Sequence, residues 1–123
     1  MNQKSLLKSF SHAFEGLKEA IHERNFAIQS LIGAMAVIFS VILKLTAVEK
    51  ALVILCVGLV LGAEIINSAI ERTLNFISRE PSPEIRKIKN LAAAAVFIFS
   101  LASLIVGILI FGKAIFKLFI DWF

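Results

Sequence analysis

Three apolar runs constrain this chain more than anything else in it: Phe26 to Leu43, Ala51 to Ile66, and Leu91 to Gly112. The second continues as a helical pattern to about Phe76, its end taken up by a polar stripe. Crossing a hydrocarbon core of ~30 Å takes roughly 17–25 helical residues, so three spans fit and four do not. Only 18% of the residues are charged and 59% are hydrophobic, whereas soluble domains carry about 25% charged residues. The expected fold is an all-α membrane protein of one domain over residues 1–123. It consists of an N-terminal amphipathic surface helix (1–25) and three transmembrane helices (about 26–44, 50–76 and 84–120).

Before the first span, Leu6, Phe10, Ala13, Phe14, Leu17 and Ile21 recur at spacings of three and four, opposite Lys4, Lys8, Ser11, Glu15 and Lys18. That pattern predicts an amphipathic helix lying on an anionic leaflet before the chain dives in near Asn25. Charges scattered through residues 1–25 leave no continuous apolar stretch for a cleavable signal.

Lys4, Lys8, Lys18, Arg24, Arg72, Arg79, Arg86, Lys87 and Lys89 flank one side of the spans, and Lys44, Lys50, Lys113 and Lys117 the other. This bias puts the amino terminus and the second loop in the cytoplasm and the carboxyl terminus outside. Because the basic residues are the orientation signal, nucleic acid is not an expected partner.

Lys44 to Lys50 reads as a tight external turn. Pro81 and Pro83 interrupt any helix between the second and third spans. Ser82 reads as an N-cap, with Pro83 at the first helical position and Glu84 in the first turn. Ala92 to Ala95 form a packing face, and Gly58, Gly62, Ala63 and Gly107 serve the same purpose. Cys56 is expected to be a buried, unreactive thiol, and Trp122 an interfacial anchor.

The chemistry concentrates in the second span, which carries Glu64, Asn67 and Glu71. At about 100° per residue, Glu64 and Glu71 point within roughly 20° of each other, with Asn67 on the flank. A carboxylate at bilayer depth costs roughly 2.5–3.5 kcal/mol, so Glu64 marks a cation or phosphate site at the membrane surface. Glu64 is the deepest carboxylate and a candidate proton acceptor. Glu71 lies about 10 Å further along the stripe, and Asn67 offers either an amide oxygen or an amide proton. Glu23 reaches the same interfacial layer. Lys89, with Arg72 or Lys87, is placed to neutralise phosphates. A hard cation such as Mg²⁺, which takes one or two carboxylates plus phosphate oxygens, would let these carboxylates and phosphates coexist. These are the parts of a phosphoryl-transfer site, where positioning and charge stabilisation carry most of the catalysis.

The segment Ala63-Glu64-Ile65-Ile66-Asn67-Ser68-Ala69-Ile70-Glu71 resembles the signature of the bacterial integral-membrane diacylglycerol kinase and undecaprenol kinase family. The surface helix SFSHAFEGLKEA, the stretch His22-Glu23-Arg24-Asn25-Phe26 and the stretch Lys87-Ile88-Lys89-Asn90-Leu91-Ala92-Ala93 extend the resemblance over nearly the whole chain. It implies a multi-pass homotrimer of the bacterial inner membrane, with active sites shared between neighbouring subunits at the cytoplasmic interface. It further implies transfer of the γ-phosphoryl group of MgATP to a lipid alcohol. On that resemblance Glu64 looks like the general base, Glu23 and Glu71 like the metal carboxylates, and Asn67, Lys89 and Asn90 like nucleotide and phosphate contacts. The stretches around Glu23 and Lys89 look closer to the undecaprenol kinase branch, so undecaprenol is expected over diacylglycerol.

Asn75 and Asn90 stand where the family usually has aspartate, and Ala94 where it often has glycine. The loss of two negative charges keeps open a weakened or inactive relative that binds nucleotide or lipid. A small cation or proton conductor built on Glu64 is a third class. It is disfavoured because the outer halves of the spans hold no ionisable residues to continue a path.

Overall fold

The computed structural model describes residues 2–123, which form four α-helices and no strand. They are α1 (Gln3–Ile21), α2 (Arg24–Ile42), α3 (Ala47–Ile77) and α4 (Pro83–Trp122). The last three are long and apolar enough to cross a membrane, as the run lengths predict.

Asn2 caps α1, its Oδ1 accepting from the Ser5 N–H at 2.8 Å. Along α1 only Ala20 is buried; Leu6, Phe10, Phe14, Leu17 and Ile21 are all exposed. The helix stops at Ile21 rather than at 25, because Glu23 takes extended backbone angles (φ −80°, ψ 125°) and α2 starts at Arg24.

The first turn is also shorter than the spacing of Lys44 and Lys50 suggests. Lys44 adopts a left-handed conformation (φ 52°). The N–H of Leu45 then donates to Ser40 C=O and that of Lys44 to Val41 C=O, both at 3.1 Å, the bond pair of a Schellman stop. Thr46 starts α3 immediately with a capping box. Glu49 N–H donates to Thr46 Oγ1 (3.2 Å), and Thr46 N–H donates to Glu49 Oε1 (3.1 Å). Lys50 therefore lies inside α3. A T-x-x-E pattern, the sequence mark of a capping box, starts the helix here.

At the other end of α3, Ser82 has the extended backbone of an N-cap and Pro83 opens α4 as expected, although the serine side chain makes no capping bond. With 31 and 40 residues, α3 and α4 run about 46 Å and 60 Å. Both exceed a ~30 Å hydrocarbon core, leaving helical ends for an aqueous face.

α3 is central, packing on α2 along one side and on α4 along the other. Leu45, Val53 and Ile110 form the small core where the three meet, near the α2–α3 turn. α2 packs tightly on α3 at Gly33, where an added Cβ would lie 2.6 Å from Val57 Cγ1. The small residues proposed from sequence act differently. An added Cβ at Gly58, Gly62 or Gly107 meets nothing within 4 Å, while Ala63 is buried. Ala93, Ala94 and Ala95 are exposed, so within one chain their run is not a packing face.

The accessible surface is 9795 Å² for a 13.5 kDa chain. A compact soluble monomer of that mass would expose about 6,500 Å². The excess is apolar side chains such as Leu31, Ile54, Phe97, Leu104 and Leu109. Such a surface requires lipid or further helices around it.

Candidate active site

Glu64 sits midway along α3 on the face that the neighbouring helices cover, and only 6% of it is exposed. It is one of two buried polar residues among those described, the other being Ser40. It is therefore covered by the protein itself, and it pairs with no cation among the described residues.

One turn on, Asn67 points its Nδ2 at Glu71 Oε1 at 3.5 Å, the outer limit of a hydrogen bond. Asn67 Oδ1 is buried and receives no donor. Glu71 itself is exposed. The stripe therefore grades from a hidden carboxylate through a half-buried amide to a solvated carboxylate, which is the order the helical spacing predicts.

Glu23 belongs to a different contact. Its Oε1 accepts from Arg72 Nη2 at 2.8 Å, while Arg72 Nη1 donates to Glu19 Oε2 at 3.1 Å. Arg72 thus faces the α1–α2 junction and not Glu71 or Lys89, contrary to the grouping expected from sequence. A change of one residue turns a helix by about 100°, enough to send Glu71 and Arg72 to different neighbours. Lys87 is paired within α4 to Glu84 at 3.6 Å.

Lys89 Nζ donates to Asn75 Oδ1 at 2.9 Å, tying α4 to α3. Both residues, with Asn90, Arg79, Arg86 and Lys87, line a polar hollow of about 740 Å³ under the α3–α4 loop. A second, largely apolar hollow of about 560 Å³ lies between α2, α3 and α4, where Gln29, Ser100 and Ser103 supply the polar atoms. Val60, one turn from Glu64, lines it. Cys56 also lines it; the thiol is free and half-buried, less hidden than expected. Sequence reasoning did not reach Ser100 and Ser103, since isolated serines in an apolar helix carry no signal of what they face.

Among the described residues no three His, Cys, Asp or Glu side chains converge. Mg²⁺ binds through one or two carboxylates and completes its octahedron with phosphates and water. The donorless Asn67 Oδ1 beside Glu71 is a hard oxygen acceptor of the kind such a site, or a ligand N–H or O–H, would use. The residues present fit that ion.

The sequence matches the family described as prokaryotic diacylglycerol kinase over residues 11–111, a stretch that includes every candidate residue above. The chain belongs to the prokaryotic diacylglycerol kinase family. It is therefore a member of a family of membrane lipid kinases.

Among curated relatives, the undecaprenol kinase of Bacillus subtilis is 34% identical over 105 residues, covering 85% of either chain. The diacylglycerol kinase of Escherichia coli K12 is 31% identical over 101 residues, 81% of this chain and 83% of the relative. That of Helicobacter pylori is 31% identical over 118 residues, 95% and 89% respectively. These matches span between 83% and 89% of the three relatives' own lengths.

Proposed function

We propose that this diacylglycerol kinase family member transfers the γ-phosphoryl group of MgATP to the hydroxyl of a membrane lipid alcohol, undecaprenol in preference to diacylglycerol. The observation that carries the reading is the burial of Glu64 in an apolar helix that lengthens into a polar, partly solvated stripe. The apolar hollow lined by Val60 suits an acyl or prenyl chain approaching from the bilayer. The polar hollow with Lys89 and Asn90 suits phosphates arriving from water. Glu64 lies along α3 between residues of the two.

In this reading Glu64 accepts the proton of the lipid hydroxyl as that oxygen attacks the γ-phosphorus. Lys89, with Asn67 and Asn90, binds the phosphates and stabilises the charge gathered on their oxygens. Glu23 and Glu71 would hold Mg²⁺. When bound, the ion neutralises phosphate charge that the two carboxylates would otherwise repel. The preference for undecaprenol rests on the stretches around Glu23 and Lys89 and on the likeness to the B. subtilis undecaprenol kinase.

The proposed placement is the bacterial cytoplasmic membrane, as the family likeness suggests, and the charge bias supports an amino terminus and α3–α4 loop inside with the carboxyl terminus outside. A homotrimer is the proposed assembly. The large apolar surface and the uncovered Ala93–Ala95 run support close packing of further helices.

The test is purified protein in bilayer nanodiscs with radiolabelled ATP and a panel of lipid alcohols, with Mg²⁺ present and then chelated. Label should pass to undecaprenol only with Mg²⁺ present. Glu64→Gln, which keeps shape but loses basicity, should abolish the transfer; turnover that survives it removes the proposed base.

A further inference from the structure

Arg72 makes two ion pairs that the catalytic reading does not use. Its two guanidinium nitrogens are divided between two carboxylates, Nη1 on Glu19 at 3.1 Å and Nη2 on Glu23 at 2.8 Å. Glu19 lies in the last turn of α1, and Glu23 is the N-cap residue of α2. The N-cap carboxylate makes no capping bond to its own helix; it is given to Arg72 instead. All residues of α1 other than Ala20 are exposed. The fork from Arg72 is also the only side-chain hydrogen bonding from α1 or Glu23 to another helix among the described residues.

We propose that Arg72 is a positioning residue: it clamps the α1–α2 junction onto α3 and so fixes the direction in which Glu23 is presented for metal and nucleotide binding. The inference rests on the reading of Glu23 as a metal-side carboxylate. The physical logic is that of a shared fork. Arginine presents several N–H donors in a fixed plane, so one side chain can orient two carboxylates at once, which a lysine ammonium does only loosely. Each contact is partly exposed, with 55% of the Arg72 side chain and 39% of the Glu23 side chain accessible, so it contributes little to global stability. Its effect is on where Glu23 points. Arg72 also follows Glu71 directly, so the residue that sets Glu23 and the second carboxylate of the pair share one rigid turn of α3.

The test compares Arg72→Ala, Arg72→Lys and Glu19→Gln with the parent in nanodiscs. Two quantities are read: the Mg²⁺ concentration for half-maximal turnover, and amide hydrogen exchange across residues 17–27. Loss of an outer partner of a ligating carboxylate weakens metal affinity by about tenfold or more. Arg72→Ala should therefore raise the Mg²⁺ midpoint about tenfold while kcat at saturating Mg²⁺ stays within about twofold. It should also speed exchange across the junction. Arg72→Lys should recover part of both effects. Glu19→Gln, which keeps Arg72 and Glu23, should fall between, and it serves if Arg72→Ala does not fold. An unchanged Mg²⁺ midpoint, or unchanged exchange at 17–27, overturns the proposal. Exchange is read without turnover, so a parent that proves unable to phosphorylate any lipid defeats the kinase reading while the clamp is still decided by the exchange result.

Discussion

Lys89 Nζ lies 2.9 Å from Oδ1 of Asn75, joining the second turn of α4 to the final turn of α3 across fourteen positions of sequence. The acceptor is neutral, so the lysine is oriented without being neutralised. Asn75→Asp would turn this contact into an ion pair. Asn75 is exposed, so the gain in stability should stay below about 1 kcal/mol. On the proposal that Lys89 binds phosphate, the added charge beside it should also lower the Mg²⁺ concentration needed for half-maximal turnover. Thermal denaturation in detergent and a Mg²⁺ titration check the two effects separately.

Asn67 should show a conflict between stability and function. Its Oδ1 is buried without a donor, and an unsatisfied buried acceptor costs about 1–3 kcal/mol. Asn67→Leu removes that acceptor at similar volume, so the denaturation temperature should hold or rise. Phosphoryl transfer should be lost in the same variant. A drop in both would mean that Asn67 is structural.

Gly33 faces Val57 across the α2–α3 contact, and Val57 cannot move aside cheaply because its branched side chain has few rotamers on a helix. Gly33→Ala should destabilise by about 1–3 kcal/mol, the usual cost of overpacking. Adding Val57→Ala should recover a large part of that loss. The non-additivity of the pair, read by a double-mutant cycle of denaturation in detergent, identifies the contact.

Lys44 occupies a left-handed position that glycine fills at lower cost. Its side chain is exposed, so Lys44→Gly sacrifices little packing. The variant should be more stable by about 0.5–1 kcal/mol. Lys44→Val should lose stability at the same site, since a β-branched residue tolerates positive φ poorly.

Much of the architecture was legible because it follows from local rules. Run length sets the three spans, the Ser82-Pro83 pair sets the start of α4, and helical periodicity aligns Glu64 with Glu71. The start of α3 is equally local, set by the capping box of Thr46 and Glu49 rather than by Lys50. The end of α1 is different. The pattern Leu17–Ile21 continues toward Phe26 without a helix-breaking residue, and only the extended backbone at Glu23 divides α1 from α2.

By itself, the sequence determined that this chain is a three-span helical membrane protein with an acidic stripe at one end of its middle span, since length and period depend only on neighbours along the chain. The tertiary structure decided who meets whom: Arg72 with Glu19 and Glu23, Lys89 with Asn75, Gly33 against Val57. Those pairings depend on the rotation of each helix about its axis. In a chain whose apolar residues surround the helices almost evenly, hydrophobic periodicity leaves that rotation free, and the packing of one helix on the next selects it.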